Sequence, residues 1–229
     1  MKAPTNGQPE PVAVPVARMY AALVGIGLGC GLLIVSAFVS TRPTIERKRA
    51  EALERAIFEV LPGAVASAPY RLRSDGSFER VASPVRGEAL VYAAYDERGG
   101  LVGVALEAKA MGYADSIEML YGYAVESQTI VGMKVLASKE TPGLGDRIET
   151  DARFRANFSA LDARLVDDGS ALAHPIQTVK QGEKRNPWEI DGITGATISS
   201  KAVGRALDAS TARWLPALRA RLDDLRKQE

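Results

Sequence analysis

The sequence of 229 residues contains one cysteine and one histidine. One cysteine cannot form a disulfide within the chain, and the two residues together cannot supply a Cys/His cluster for zinc or an iron–sulfur centre. The 29 basic and 28 acidic side chains leave a net charge of +1, so the chain lacks the basic excess of a nucleic-acid-binding protein. It also lacks the glycine-rich phosphate loop, the dinucleotide-binding turn and the nucleophile elbow. The common nucleotide-binding and hydrolase architectures are therefore excluded.

The apolar residues are unevenly distributed along the chain, although the composition is 46% hydrophobic and 25% charged, as in an ordinary globular protein. From Met19 to Thr41, 23 consecutive positions carry no charge. At ~1.5 Å per residue a helix of this length is long enough for a bilayer core of about 30 Å. The run is too long for a cleaved signal peptide and continues well past Cys30, which argues against a lipoprotein anchor there. The sequence predicts a retained transmembrane helix over residues 18–42.

The chain on either side of this helix divides into three further parts. Residues 1–17 contain four prolines and are predicted to be a disordered tail. Residues 43–63 show apolar positions at helical spacing, with Thr44 as a possible cap and Pro62-Gly63 as the end, which predicts an amphipathic connector helix. Residues 64–229 are left for one globular domain.

This domain is predicted to be of the α+β class, with a mainly antiparallel sheet and flanking helices. Short turns separate four β-branched and aromatic segments, as expected for antiparallel neighbours. The strands are predicted over Leu90–Tyr95, Leu101–Leu106, Ile117–Val125 and Thr129–Leu136, with a short one near Ile176–Val179. Helices are predicted near Thr150–Leu161, Ala196–Ser210 and Pro216–Arg226.

Two glycine-containing segments are candidates for a binding site. The first, Lys139–Asp146, follows the last strong strand and includes Glu140, Thr141, Gly143, Leu144 and Gly145. The second, Asp191–Ser200, leads into a helix, whose first turn offers unpaired amides suited to a phosphate. On pattern alone, the first segment is equally typical of a strand-ending turn. The second is equally typical of a helix cap formed by Asp191, Thr194 or Thr197.

Together and in this order behind a membrane helix, the two segments resemble those of the FMN-binding domain family. The chain resembles the G subunits of Rnf-type electron-transport complexes, and more distantly the C subunits of the sodium-translocating NADH:quinone reductase. The resemblance includes AIFEVLPGA (56–64), ETPGLGD (140–146) and DGITGATISS (191–200). Thr194-Gly195-Ala196-Thr197 matches the flavin-attachment motif of that family, which ends in an acceptor threonine.

The resemblance implies that FMN is bound covalently, as a phosphoester of the Thr197 hydroxyl made by a separate flavin transferase from FAD. It implies that Asp191 belongs to the sequence that the transferase recognises, and that residues 140–145 border the flavin. The implied function is electron transfer, without independent turnover, within a multi-subunit complex that couples NADH/ferredoxin electron transfer to ion translocation. The implied partners are the other membrane and peripheral subunits.

The resemblance and the distribution of charge predict opposite orientations. In the resembled complexes this component is a single-pass protein of the bacterial inner membrane, with a cytoplasmic N-terminal tail and a periplasmic FMN domain. Five basic residues follow the apolar run within residues 42–55 and only two precede it. The positive-inside rule would therefore place the domain in the cytoplasm. We expect the periplasmic arrangement, because long domains are translocated despite nearby charge.

Several alternatives remain open on the sequence alone. The chain could be a C-type component of the sodium-pumping reductase or a stand-alone membrane flavoprotein. In a different class, it could be a membrane-tethered scaffold without a cofactor, in which the TGAT motif only begins a helix. A hydrolase with Thr197 as nucleophile is the least favoured, because no base partner lies nearby in the sequence. Trp188 and Leu144 are candidates for stacking on a flavin ring, and His174 is expected to be structural.

Overall fold

The computed structural model describes residues 16–82 and 88–226, which fall into two compact units, one ending at Ala50 and one beginning at Glu51. The helices are α1 (Val16–Val60), α2 (Arg147–Thr150), α3 (Ala152–Ala156), α4 (Thr197–Ala220) and α5 (Leu222–Arg226). The strands are β1 (Ala66–Leu72), β2 (Phe78–Arg80), β3 (Leu90–Tyr95), β4 (Leu101–Met111), β5 (Ser116–Ala124), β6 (Thr129–Ala137), β7 (Leu161–Asp162), β8 (Gln177–Val179) and β9 (Glu189–Asp191).

Helix α1 carries the uncharged run found in the sequence. Its most apolar stretch of 18 residues has a mean hydropathy of 2.4 and is not buried within the chain, so α1 is long and apolar enough to cross a membrane. The helix begins two residues before the predicted span, since Val16 and Ala17 are already helical. The rest of the predicted disordered tail lies outside the described residues.

The predicted helix start at Thr44 is wrong, because α1 continues through Pro43 and Thr44 without a break. Proline has no backbone N–H, so Pro43 leaves the Val39 carbonyl without its usual helical partner. The helix nevertheless continues through this position. The helix ends at Val60, close to the predicted end, since a residue before proline is disfavoured in the helical region.

Seven strands form one antiparallel sheet in the order β2-β1-β3-β4-β5-β6-β7. The four strong predicted strands correspond to β3, β4, β5 and β6. The sequence does not predict β1, because Pro69 argues against a strand inside a sheet. In the structure Pro69 lies opposite Tyr92, and its carbonyl accepts a hydrogen bond from the Val81 amide at 2.9 Å.

Both faces of the central strands are covered, which explains why β3 is apolar at every position. On one face, alternate β3 residues pack in a cluster with α4: Val91, Ala93, Tyr95, Val203, Leu207 and Leu215. On the other, the intervening residues pack against the end of α1 and the residue after it: Leu90, Tyr92, Ala94, Ile57, Val60 and Leu61. Each fully buried aliphatic side chain stabilises the fold by roughly 1.5–3 kcal/mol.

The C-terminal region differs from the prediction in three ways. Helix α4 continues through the gap between the two predicted helices and through Pro216 to Ala220, and α5 forms the end of the second predicted helix. Buried Trp214, Leu215 and Leu218 hold α4 on the sheet on both sides of this proline. The predicted helix at 150–161 is reduced to α3 and a short 3-10 turn. The short strand predicted near Ile176–Val179 is present as β8, but it pairs in parallel with β9, which the sequence does not predict, in a second, two-stranded sheet.

Candidate functional site

The two glycine-containing segments lie against each other in the folded chain. The loop after β6 and the first turn of α4 border a cavity of about 320 Å³. Its lining residues are Tyr113, Glu140, Thr141, Leu144, Gly145, Gly195, Ala196, Thr197, Ile198 and Ser199. The fold therefore joins residues that are far apart in the sequence.

Glu140 is the buried polar centre of this cavity, with only 6% of its surface exposed. One carboxylate oxygen accepts the amide N–H groups of Tyr113 and Ala114 at 2.9 and 3.0 Å. The other accepts the hydroxyl of Ser199. Glu140 thus ties the β4–β5 turn to the first turn of α4 and is a structural wall of the cavity.

The pKa of Glu140 reflects two opposing effects. Burial alone raises it, but the hydrogen bonds from Ser199, Ala114 and Tyr113 favour the carboxylate and bring the pKa below its ordinary value of 4.5. Glu140 is therefore ionised at neutral pH. The cavity contains a fixed negative charge and, among the residues that line it, no lysine or arginine.

Two glycines of the predicted site shape the cavity. A Cβ on Gly145 would overlap the Glu140 carboxylate and lie 2.8 Å from the Ser199 hydroxyl. Any larger residue at position 145 would therefore push the loop away from the first turn of α4. Gly195 has a positive φ of 88°, which favours glycine, and no atom lies within 4 Å of the Cβ position. Space is therefore open beside Thr197.

The start of α4 has no side-chain cap. The N-cap residue is Ala196, which has no capping group, so the interpretation of the TGAT motif as a simple helix cap is wrong in this structure. Within the described chain, the amides of residues 197–199 have no hydrogen-bond acceptor. Thr197 is exposed and is the first helical residue. An anion next to it would meet unpaired N–H groups and the positive end of the helix dipole.

The remaining predicted residues lie around this cavity without lining it. The Asp191 carboxylate accepts the Gly182 amide at 2.6 Å, and Gly143 is an exposed residue of the 142–146 turn. Thr194 is exposed; its carbonyl accepts from Arg147 at 3.2 Å, and its amide donates to Gln181 at 3.0 Å. These contacts fix the backbone that leads to Thr197.

Two polar residues that the sequence does not single out position the strand before the motif. Asn157 accepts the Asp191 amide at 3.0 Å and donates to the Asp191 carbonyl at 3.1 Å. Glu189 accepts the amides of Arg185 and Asn186 at 2.7 and 3.0 Å, and these bonds lower its pKa to about 2. Both residues stabilise β9 and its approach to α4.

Three further residues line the cavity: Ile198 and Ser199 belong to the predicted second segment but are not among its named site residues, and Tyr113 lies outside both segments. Tyr113 and Ile198 are 71% and 49% exposed, so apolar surface is accessible at the mouth of the cavity. Leu144, a predicted stacking candidate, lines the cavity as well. Trp188, the other candidate, stacks on His174 with ring centroids 3.7 Å apart and is not among the lining residues.

A second cavity of about 380 Å³ lies on the other side of Thr197. Its lining residues are Thr178, Val179, Lys180, Gln181, Glu183, Gly192, Ile193, Thr194, Thr197, Ser200 and Lys201. Thr197 and no other residue appears in both sets of lining residues. The exposed hydroxyl-bearing residue therefore stands between a mainly apolar cavity and a more polar one.

Comparison with known proteins agrees with this geometry. The sequence model of the FMN-binding domain matches residues 112–211, which include both motif segments. The G subunit of the ion-translocating oxidoreductase complex of Pseudomonas aeruginosa is 33% identical over 206 residues, which cover 88% of this chain and 86% of that protein. The chain belongs to the family of G subunits of ion-translocating oxidoreductase complexes. The family expected from the sequence is thereby confirmed.

Other members and solved structures extend the comparison. The G subunit of Methanosarcina acetivorans is 28% identical, over 85% of this chain and 92% of that protein. The crystal structure of Shewanella oneidensis NqrC has a TM-score of 0.58 and 19% identity, over 79% of this chain and 99% of that one. The crystal structure of the C subunit of a Na⁺-translocating NADH-quinone reductase from Parabacteroides distasonis has a TM-score of 0.56 and 18% identity, over 80% of this chain and 96% of that one. These two structures confirm the predicted α+β fold.

The residues present fit the FMN that this domain family binds. The mainly apolar cavity offers Tyr113, Leu144 and Ile198 to an aromatic ring, and open space beside Gly195 admits a phosphate. The uncapped start of α4 supplies unpaired amides for that phosphate.

The hydrogen bonds of Glu140 lead to a prediction about stability. We expect Glu140→Ala to lower the free energy of unfolding by about 1–3 kcal/mol, because two amides and the Ser199 hydroxyl lose a buried acceptor. Glu140→Gln should cost less, since its carbonyl oxygen can still accept from the amides. Because the native pKa is below 4.5, the carboxylate contribution is present above that pH and is lost as the pH falls through the native pKa.

Denaturant unfolding of the full chain in detergent at pH 7 and at acidic pH measures these effects. Glu118→Ala is the control, because Glu118 is an exposed partner of Lys109 and should contribute about 1 kcal/mol or less. The stability gap between wild type and Glu140→Gln should narrow in acid. The role given to this carboxylate would be contradicted if the difference in free energy of unfolding between wild type and Glu140→Gln were the same at both pH values. It would also be contradicted if the Glu140→Ala chain were as stable as wild type.

Proposed function

We propose that this chain is an electron-transferring flavoprotein component of a multi-subunit, ion-translocating membrane complex, and that its FMN is joined to the Thr197 hydroxyl by a phosphoester. The observation that carries the proposal is the exposed Thr197 at an uncapped helix start, at the boundary of two cavities and inside the Thr194-Gly195-Ala196-Thr197 motif. The G-subunit relatives are components of ion-translocating oxidoreductase complexes, which supports the assignment.

The attachment requires a flavin transferase that uses FAD. The bond between the Thr197 oxygen and the phosphorus of the FMN moiety forms while the bond from that phosphorus to the AMP moiety breaks. AMP leaves with the bridging oxygen, and the hydroxyl proton passes to a base of the transferase. No histidine lines either cavity, Glu140 already accepts from three donors, and Glu183, the other lining carboxylate, is exposed to solvent. We therefore assign the acceptor to this chain and the base to the transferase.

The attached FMN would supply the ability to accept and donate electrons, and the residues of this chain would hold it. Leu144, Tyr113 and Ile198 provide apolar contact for the ring, and the first amides of α4 stabilise the negative phosphoester. Residues 140–145 would border the flavin, with Glu140 fixing the loop from behind. Asp191 would act in recognition by the transferase, through the turn that its carboxylate holds at Gly182.

We further propose the membrane arrangement. Residues 1–17 are on the cytoplasmic side, and residues 18–42 cross the inner membrane once. Residues 43–63 connect this span to the FMN domain, which comprises residues 64–229 and lies on the periplasmic side. Acidic residues alternate with the basic ones after the span, which is typical of a solvated helix and not of a retained cytoplasmic anchor. Covalent attachment prevents loss of the flavin outside the cytoplasm.

The orientation is tested by fusing reporter enzymes to the C-terminus. A reporter that is active only in the periplasm should be active, and one that requires the cytoplasm should be inactive. A control fusion directly after residue 17 should give the opposite pattern. Cytoplasmic activity of the C-terminal fusion would overturn the periplasmic placement and agree with the count of basic residues.

The covalent flavin is tested by expression of the full chain with and without a flavin transferase. After denaturing electrophoresis, the co-expressed chain should give a fluorescent band and an intact mass increased by one FMN less water. The chain expressed alone should give neither. A chain that stays free of flavin when an active transferase is present would favour the scaffold alternative.

A further inference from the structure

The second cavity beside Thr197 contains two lysines to which the attachment chemistry has assigned no role. Lys180 and Lys201 both line it and are exposed. Neither ammonium group has a hydrogen-bond or ion-pair partner among residues 16–82 and 88–226. One carboxylate, that of Glu183, lines the same cavity. The two cations therefore exceed the anionic charge and are available to a ligand.

The two lysines come from different elements that line this cavity. Lys201 is four residues after Thr197 on α4, so the two side chains share one face of the helix. Lys180 follows β8, which is held against α4 by the Thr178 hydroxyl, a donor to the Ser200 carbonyl at 3.1 Å. The Gly192 amide also donates to the Val179 carbonyl at 3.1 Å. Both lysines are thus placed on hydrogen-bonded backbone and line the same cavity as Thr197.

The first cavity differs in charge from the second. It contains the ionised, buried Glu140 and apolar Tyr113, Leu144 and Ile198, and its lining includes no cation. Next to Glu140 a phosphate anion is disfavoured by like charge and a flat apolar ring is favoured, so a phosphate is expected only at the Thr197 edge of this cavity. In the second cavity, a phosphate would meet two unpaired ammonium groups. The boundary at Thr197 therefore separates a site for a ring from a site for phosphate.

We propose that Lys180 and Lys201 form a phosphate-binding subsite, which binds the pyrophosphate of the flavin donor during transfer and then the phosphodiester at Thr197. The proposal rests on the proposed attachment at Thr197 and adds the residues that recognise the charged part of the donor. Both lysines are binding residues for an organic phosphate and take no part in proton transfer.

The test compares full-length apo chains in detergent as acceptors for the transferase, with FAD as donor. The variants are Lys180→Met/Lys201→Met, the charge-keeping Lys180→Arg/Lys201→Arg, and the control Lys109→Met, whose ammonium group is bound to Glu118 at 2.6 Å. The double methionine variant should be flavinated at an initial rate about tenfold lower, as expected for lost charge-assisted hydrogen bonds. The initial rates of flavination of the double arginine variant and of the control should remain within about twofold of the wild-type rate.

A second readout separates phosphate binding from docking of the transferase. After complete flavination, the ³¹P resonance of the attached FMN should differ between wild type and the double methionine variant, with the arginine variant close to wild type. Equal transfer rates in all variants, or a slow rate with an unchanged ³¹P resonance, would overturn the subsite. Failure of the wild-type chain to be flavinated would instead contradict the proposed attachment itself.

Discussion

Thr197→Ala is expected to produce a folded chain that carries no covalent flavin, even when the transferase is co-expressed. The substitution removes the acceptor oxygen, and the two neighbouring hydroxyl groups are buried and already engaged. The Ser199 hydroxyl donates to Glu140, and the Ser200 hydroxyl accepts the Ile193 amide at 3.1 Å. Thr194 is exposed, but it precedes the helix start and does not line the first cavity. Loss of the flavin should therefore be complete. Denaturing electrophoresis with fluorescence detection and the intact mass measure the result.

The fold itself should survive this substitution, because Thr197 is exposed and Ala196, not Thr197, occupies the N-cap position. Alanine also favours the helix slightly more than threonine does. Thr150→Ala, at an exposed position at the end of α2, is the matched control and should retain full flavination. Covalent flavin on the Thr197→Ala chain would show that another residue is the acceptor.

Gly122→Ala is expected to cause the largest loss of stability among single-methyl additions in the sheet. A Cβ on Gly122 would overlap the carbonyl oxygen of Val60 and lie 2.9 Å from the Leu61 side chain. The obstacle is backbone, which cannot move away as a flexible side chain does. Overpacking of this kind lowers the free energy of unfolding by about 1–3 kcal/mol or more. For a chain of this size the melting temperature should fall by roughly 2–12 °C.

Thermal unfolding of the full chain in detergent, followed by tryptophan fluorescence, measures this effect. Gly100→Ala is the control, since the three atoms nearest to its Cβ would all belong to the Asp96 carboxylate, at 3.1–3.4 Å. That side chain can shift, and the control should unfold close to wild type. Equal melting temperatures for Gly122→Ala and wild type would mean that Val60 does not pack on the sheet as described.

The central strands and the attachment motif can be predicted because their signals are local. Leu90–Tyr95 is buried on both faces of the sheet and is therefore apolar at every position. A continuous apolar segment of this length that ends at a turn is easily recognised as a strand in the sequence. The Thr194–Thr197 motif lies within four positions and precedes a clear helical pattern. Family membership confirms the resemblance on which the expectation of FMN is built.

The features that the sequence does not reveal depend on contacts between distant parts of the chain. Strand β9 has three residues and is recognised only by its pairing with β8. Tyr113 lies in the turn between β4 and β5, and the hydrogen bonds from the amides of Tyr113 and Ala114 to Glu140 hold this turn at the cavity. The sequence suggests that Glu140 borders the ligand directly. Its role as a buried anchor requires the positions of three donors from two other segments.

The charge contrast between the two cavities also requires the structure. Lys180 and Lys201 are well separated in the sequence, and nothing in their local sequence distinguishes them from other surface lysines. Their placement beside Thr197 follows from the packing of β8 on α4. The near absence of cysteine and histidine is consistent with this organisation, since the proposed redox group is an organic cofactor attached to a threonine.

Peptide mapping of the flavinated wild-type chain tests the central claim most directly. Trypsin cleaves after Arg185 and Lys201 and releases residues 186–201, which contain four hydroxyl-bearing side chains: Thr194, Thr197, Ser199 and Ser200. The proposed attachment predicts that this peptide is heavier by one FMN less water, with fragment ions that place the added mass on Thr197. Added mass on any of the other three residues, or an unmodified peptide from a chain matured with active transferase, would contradict it.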